Sequence, residues 1–181
     1  DRRGNLVLQT IDEFDSDNKF ITRTVQKSSD FNKRGNAGVV ERTRFDEKGL
    51  LLEKQILRNK EFDKRGNVLK QTSESYDDKD KLIERTEVQN FDVNSRGNAG
   101  RTVRENFDPS GALIDSTEVV NKKFDNRGNV LEQSAKTFDK DGKLVERVET
   151  INTDVSTRGT AGKTERRRFD DKDALIDVQV T

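Results

Sequence analysis

The sequence predicts an all-β repeat protein, an antiparallel β-hairpin meander or strip of about twelve strands. Three observations predict it. Arg-Gly recurs at Gly4, Gly35, Gly66, Gly97, Gly128 and Gly159, always with the same 31-residue step. Between them an aromatic-Asp pair recurs with an identical step, at Phe14-Asp15, Phe45-Asp46, Tyr76-Asp77, Phe107-Asp108, Phe138-Asp139 and Phe169-Asp170. Turn formers therefore return at alternating 14- and 17-residue intervals, with β-branched side chains between them, which excludes long helices. Each strand between turns should run ~9–12 residues, or about 30–40 Å.

The aromatic-Asp turns come first. In Phe45-Asp46-Glu47-Lys48-Gly49 the Asp side chain can bond its own backbone two residues on. The fourth position must take a left-handed backbone, and it holds Asn18, Gly49, Asp80, Gly111, Gly142 and Asp173, the residue types that tolerate it. Asp77 and Asp108 open two of these turns, and Pro109, the single proline, falls at the second turn position, where its fixed φ fits. The Arg-Gly turns read alike. Phe62-Asp63-Lys64-Arg65-Gly66 and Phe124-Asp125-Asn126-Arg127-Gly128 keep the full form, and Phe31-Asn32-Lys33-Arg34-Gly35 puts Asn for Asp. Val93-Asn94-Ser95-Arg96-Gly97 and Val155-Ser156-Thr157-Arg158-Gly159 keep the spacing.

In such a hairpin the residue before Asp opposes the second residue after Gly. That pairs Phe45 with Leu51, Tyr76 with Leu82, Phe107 with Leu113, Phe138 with Leu144 and Phe169 with Leu175. At the other turns it pairs Phe62 with Val68 and Phe124 with Val130. Each such hydrophobic clamp contributes roughly 0.2–1 kcal/mol. The strand middles, such as Lys70 to Ser75, are polar on both faces.

A slower period overlies the first. After successive Arg-Gly turns, bulky Leu6-Val7, Val68-Leu69 and Val130-Leu131 alternate with Ala37-Gly38, Ala99-Gly100 and Ala161-Gly162. The chain is therefore built on a 62-residue unit. The alternation reads equally as a device of curvature, as a knob-and-hole contact with another layer, or as drift after duplication. The alternative fold is a β-solenoid with one 31-residue repeat per coil, although the polar strand middles supply few inward apolar columns.

Composition limits function. Hydrophobic residues make up 29% and charged residues 39%, with 35 basic and 35 acidic side chains. A thick two-layer core is excluded, and the cancelled charge argues against disorder. With no Cys, His, Met or Trp, the chain can build no disulfide, zinc site, haem ligation or thiol nucleophile. No apolar run reaches the ~20 residues of a membrane span. The whole, residues 1–181, reads as one β-repeat array of about six repeats, starting and stopping mid-repeat as a fragment of a longer protein would.

The motif Phe138-Asp139-Lys140-Asp141-Gly142-Lys143-Leu144 and its copies resemble the YD (RHS-type) repeats of bacterial cell-surface and toxin proteins. Arg-Gly-Asn-Val-Leu at Arg65 to Leu69 and Arg127 to Leu131 resembles the Gly-Asn form of the same pattern. The resemblance spans the chain at motif level. It implies long β-hairpin strips, which in that family are in some cases coiled into hollow shells. The sequence departs from the family in using mostly Phe for Tyr and in its shorter repeat.

Candidate sites follow from charge. If the chain is a meander, the turn rows lie on opposite margins, with formal totals of −9 for the Asp row and +6 for the Arg row. Opposite margins of neighbouring strips would attract. Asp15, Asp17, Asp139 and Asp141 are calcium candidates, but no EF-hand spacing is present and turn capping explains their placement. Catalysis needs a privileged site, whereas features here come six times over, so no catalytic residue and no cofactor is expected. Nucleic acid is not an expected partner, because Asp63 and Asp125 interrupt the basic row. The expected function is structural: an extracellular or cell-surface filament, fibre or adhesin stalk built by self-association. The alternatives are a segment of an RHS-like toxin-encapsulating shell, or a surface module binding glycans or other proteins.

Overall fold

A computed structural model describes residues 1–156 and 159–181. Twelve strands follow one another: β1 (Leu8–Phe14), β2 (Phe20–Ser29), β3 (Val39–Phe45), β4 (Leu51–Phe62), β5 (Val68–Tyr76), β6 (Leu82–Phe91), β7 (Arg101–Phe107), β8 (Leu113–Phe124), β9 (Val130–Asp139), β10 (Leu144–Thr153), β11 (Lys163–Phe169) and β12 (Leu175–Val180). Their order in the sheet is their order in the chain, and the described pairings are antiparallel. This is an up-and-down meander. The solenoid alternative is overturned, because stacked coils would set equivalent strands of successive repeats side by side.

The sheet divides into two compact units, Asp1–Glu87 with Phe107–Ala112, and Val88–Asn106 with Leu113–Thr181. In the first, Phe45 opposes Leu51 and Phe62 opposes Val68. In the second, Phe124 opposes Val130, Phe138 opposes Leu144 and Phe169 opposes Leu175. Tyr76 closes β5 with Leu82 opening β6, and Phe107 closes β7 with Leu113 opening β8. Beyond each aliphatic partner one residue is left unpaired in a β-bulge: Glu53, not Leu52, opposes Arg44, and Glu146, not Val145, opposes Thr137. Bulges of this kind sharpen the local twist.

Strand lengths run from 6 to 12 residues, shorter at the low end than the spacing alone suggests. The shortfall has a cause. β3, β7 and β11 are each 7 residues long and begin just after the Ala-Gly sites. There the preceding strand is followed at once by a left-handed aspartate, Asp30 (φ 55°), Asp92 (φ 53°) or Asp154 (φ 54°). The Gly38 amide donates to the Ser29 and Asp30 carbonyls at 3.0 and 3.1 Å, and a Cβ on Gly38 would lie 2.8 Å from that Asp30 oxygen. At Gly38 the two backbones thus approach too closely for a side chain. The glycine of every second Arg-Gly hairpin therefore has a local backbone role, its amide donating to the carbonyls at the end of the preceding strand.

Among the described residues no hydrophobic side chain is buried; the buried ones are Thr22, Thr72, Thr86 and Ser134. The accessible area is 11854 Å², against roughly 8,900 Å² expected for a globular protein of this mass. The fold is held by ladders, turns and polar side chains.

Candidate functional site

The chemistry of this chain gathers in its turn rows. Each turn is built from its first residue. The Asp46 Oδ1 accepts the Lys48 and Leu50 amides, both at 2.8 Å, while the Gly49 amide donates to the Asp46 carbonyl at 3.1 Å. Asp77 and Asp108 bond the second and fourth following amides in the same way. Ser110, behind Pro109, adds its hydroxyl to Asp108 at 2.6 Å. The fourth positions all have positive φ, Gly111 and Gly142 at 88° and 77°, and Asn18, Asp80 and Asp173 at 61°, 59° and 68°.

At Asp77 and Asp108 such bonds favour the ionised carboxylate. The Ser110 hydroxyl, and after it the Ala112 amide, keep the Asp108 carboxyl below the ordinary range. The Lys81 amide does the same for Asp77. On the other margin the Asn67 and Asn129 side chains lower Asp63 and Asp125. Of the calcium candidates, Asp15 accepts the Asp17 and Lys19 amides, and Asp139 accepts those of Asp141 and Lys143. The Asp141 carboxylate pairs with Lys140 at 3.1 Å. Among the described residues no group of three or more acidic, His or Cys side chains is arranged to hold a metal.

The two margins differ in packing. On the Asp margin, Gly49, Gly111 and Gly142 have nothing within 4 Å of where a Cβ would stand. Ion pairs span the gaps between successive turns, Lys19–Glu47 at 3.3 Å and Lys143–Asp171 at 3.2 Å. On the Arg margin successive turns touch. A Cβ on Gly66 would meet the Asn36 amide nitrogen at 2.4 Å, and one on Gly128 would meet that of Asn98 at 2.6 Å. Asn36 and Asn98 donate across to the Gly66 and Gly128 carbonyls at 2.9 and 2.8 Å. Asn67 and Asn129 instead bond their own Asp63 and Asp125. The alternation follows from one atom. Where the turn opens with Asp, a second carboxylate oxygen keeps the following Asn at home; where it opens with Asn32 or Asn94, that oxygen is an amide nitrogen, and the Asn reaches to the next turn. The last turn of this row includes Thr157 and Arg158, which lie outside the described residues; its Gly159 has φ 84°.

Two rows escaped the sequence reading. A cation from the preceding strand stacks on several clamp aromatics: Lys54 on Tyr76 at 5.3 Å, Arg85 on Phe107 at 4.5 Å and Arg147 on Phe169 at 3.7 Å. Lys54 and Arg147 also reach the left-handed Asp80 and Asp173 at 3.0 and 2.7 Å, and Asp80 raises the Lys54 pKa. Burial, then the Glu74 hydrogen bond, raises the Tyr76 phenol. The second row is a polar spine. Asn59 donates to the Ala37 carbonyl and accepts from Gln71, Asn121 donates to Ala99 and accepts from Gln133, and Asn152 donates to Val130 and accepts from Thr164, all at 2.7–3.0 Å. Asn59, Asn90, Asn121 and Asn152 recur at the 31-residue step, which was the available signal.

No known family model matches the chain, and no curated protein matches it. Among solved structures it is weakly similar to the crystal structure of TcdB2-TccC3-Cdc42, with 10% identity and a TM-score of 0.22, covering 98% of this chain and 12% of that one. It is also similar to a protein of unknown function (BF3112) from Bacteroides fragilis NCTC 9343, with 12% identity and a TM-score of 0.23, covering 99% of this chain and 95% of that one. The chain thus spans about an eighth of the first of these.

Among the described residues no helix is long and apolar enough to cross a membrane. Chemically, the arrangement offers two charged margins and a repeating, half-exposed sheet surface.

Proposed function

We propose that this chain is a structural repeat segment that self-associates into an extracellular or cell-surface filament, fibre or adhesin stalk, and that it carries no catalysis. One observation supports the reading above the others: along the sequence the turns alternate between acidic and basic, −9 and +6 in formal total, repeated without a privileged position. Rows of this kind attract over a Debye length of about 8–10 Å at physiological salt and are screened beyond it. Electron microscopy of the purified chain at low and high salt tests it. Lateral arrays that loosen as salt rises are expected; discrete particles at every salt concentration would overturn it.

A second reading, a segment of an RHS-like toxin-encapsulating shell, draws on the Phe-Asp-x-x-Gly-x-Leu turns, as at Phe138 to Leu144. A toxin domain flanking this segment in the full-length protein would favour it. Binding of glycans or other proteins to the strip is a third, with no specific residue set behind it.

A further inference from the structure

The cations that cover the clamp aromatics leave one ring bare where a cation stands ready for it. Lys54 opposes Tyr76 and Arg147 opposes Phe169, and each lies over its ring. Arg85 lies over Phe107. Opposite Phe138 stands Ser116, which brings no charge. Opposite Phe45 stands Arg23, which has the same chemistry as its counterparts but a different partner. Its guanidinium makes two 2.8 Å bonds to Asp12, which faces it across the β1–β2 hairpin. It leans toward Phe20, at 5.9 Å from the ring, and among the described residues no cation covers Phe45.

The bare ring opens a cleft. A volume of about 370 Å³ is lined by Phe20, Arg23, Phe45 and the turn residues Asp46 to Gly49. Two rings line it where the sibling seats have one, because Phe20 stands where later repeats have leucine, as at Leu51 and Leu144. The edge of Phe14 packs against Phe20 at 5.9 Å and steadies that ring. The Tyr76 and Phe169 turns set Asp80 and Asp173 at the fourth position, where they hold the covering cation. The Phe45 turn has Gly49 there, with nothing within 4 Å of where a Cβ would stand. A carboxylate is still at hand in Glu47, half exposed and 3.3 Å from Lys19. The charges lining the cleft cancel, Arg23 and Lys48 against Asp46 and Glu47, so the ring faces select the guest.

The Arg-Gly turns hold arginines that fit it. In the turns that open with Asn, the arginine lies back on the next turn. The Arg34 Cδ is 3.2 Å from where a Cβ on Gly66 would stand, and the Arg96 Nη2 donates to the Asn126 carbonyl at 2.7 Å. In the turns that open with Asp, Arg65 and Arg127 are exposed, and their side chains have no hydrogen-bond or ion-pair partner among the described residues.

We propose that Arg65 or Arg127 of a second copy enters the Phe20–Phe45 cleft and covers Phe45 as Lys54 and Arg147 cover their own rings. The occupant is a second copy because the sibling seats are filled by this chain's own cations, the cleft opens beside an acidic turn, and the unpartnered arginines stand on basic ones. Cleft and arginine lie on different surfaces, so the contact is heterologous and repeats from copy to copy unless the rotation closes. This deepens the self-association reading and rests on it. It adds a seat of defined shape to the attraction between charged rows, and a cation held against ring faces out of water is screened less than facing rows are.

Phe45→Leu tests the cleft without changing any charge, and leucine can still oppose Leu51. Sedimentation at moderate salt is expected to show association weakened roughly tenfold, the size of one desolvated cation–π contact. Arg65→Gln/Arg127→Gln is expected to match it. Lys33→Gln/Lys64→Gln removes the same number of charges from the same row and is expected to weaken association about threefold or less. Asp12→Asn releases Arg23 to cover Phe45 itself, so it too should weaken association; Asp17→Asn, an equal change of charge in the neighbouring turn, should do so less. Circular dichroism checks each fold, and Asp12→Asn decides the matter should Phe45→Leu fail to fold. Parent-like association in Asp12→Asn and Phe45→Leu, still dispersed by salt, would overturn the cleft and leave the charged rows standing. A loss in Phe45→Leu that Arg65→Gln/Arg127→Gln does not share would overturn the arginine as its guest. A chain monomeric at all salt and protein concentrations would overturn both readings.

Discussion

Substituting Gly66 and Gly49 by alanine, one on each margin, separates backbone strain from turn stacking. Both glycines are left-handed, with φ of 93° and 79°. An alanine forced into that region costs about 1–2 kcal/mol. At Gly49 the new methyl meets nothing within 4 Å, so strain is the whole cost. At Gly66 it would sit 2.4 Å from the Asn36 amide nitrogen and displace its 2.9 Å hydrogen bond to the Gly66 carbonyl. That bond adds roughly 0.5–1.5 kcal/mol. Gly66→Ala is therefore expected to cost about 2–3 kcal/mol and Gly49→Ala about 1–2 kcal/mol. Urea unfolding followed by circular dichroism measures both. In an Asn36→Ser background the cost of Gly66→Ala should fall back to the Gly49 value, a coupling read from the double-mutant cycle. Equal costs for the two alanines, or no coupling to Asn36, would refute stacking of the Arg-Gly turns.

Two further outcomes are expected. Asn121→Ala strands the Ala99 carbonyl and the Gln133 amide it now bonds, costing ~1–3 kcal/mol; Asn59→Ala, which loses the equivalent bonds to Ala37 and Gln71, should cost the same in urea unfolding. Acid should weaken the fold through the turn carboxyls of Asp63, Asp77, Asp108 and Asp125, all depressed by hydrogen bonds. Their contribution is fully present above the unfolded Asp value of about 3.9 and is lost as pH falls through the lower folded values. Urea midpoints should be level from neutral pH to about pH 5 and fall below about pH 4; an unchanged midpoint at pH 3 would contradict this.

The fold was legible because turn chemistry is local. Asp46 and Gly49 each impose a backbone constraint readable within the turn itself, and the register of Phe45 with Leu51 follows from loop length alone. Strand lengths were less legible. Whether Gly38 ends a strand depends on Asp30 folding back earlier in the chain, and Asp at a left-handed position leaves little trace in composition. The margins were visible as charge, but their unequal packing was not. It turns on whether Asn36 bonds its own turn or the next, a choice made by a single atom in Asn32. The Asn59, Asn90, Asn121 and Asn152 column was present in the sequence as a period, yet polar residues in mid-strand carry no amphipathic signal. Only the pairing of strands shows that Asn59 lies against Gln71.

The kinked hairpins at Gly38, Gly100 and Gly162 also set the grain in which such a chain can lengthen or shorten. Deleting a full double repeat would return every turn to a neighbour of its own kind, so recombination between distant copies would leave no scar. Deleting a single repeat would put two kinked hairpins, or two straight ones, side by side, and leave an Asn36-type amide or its acceptor without its counterpart. With no buried apolar side chain among the described residues to form a centre that could be outgrown, the length of the array is a free variable, but one counted in pairs of repeats.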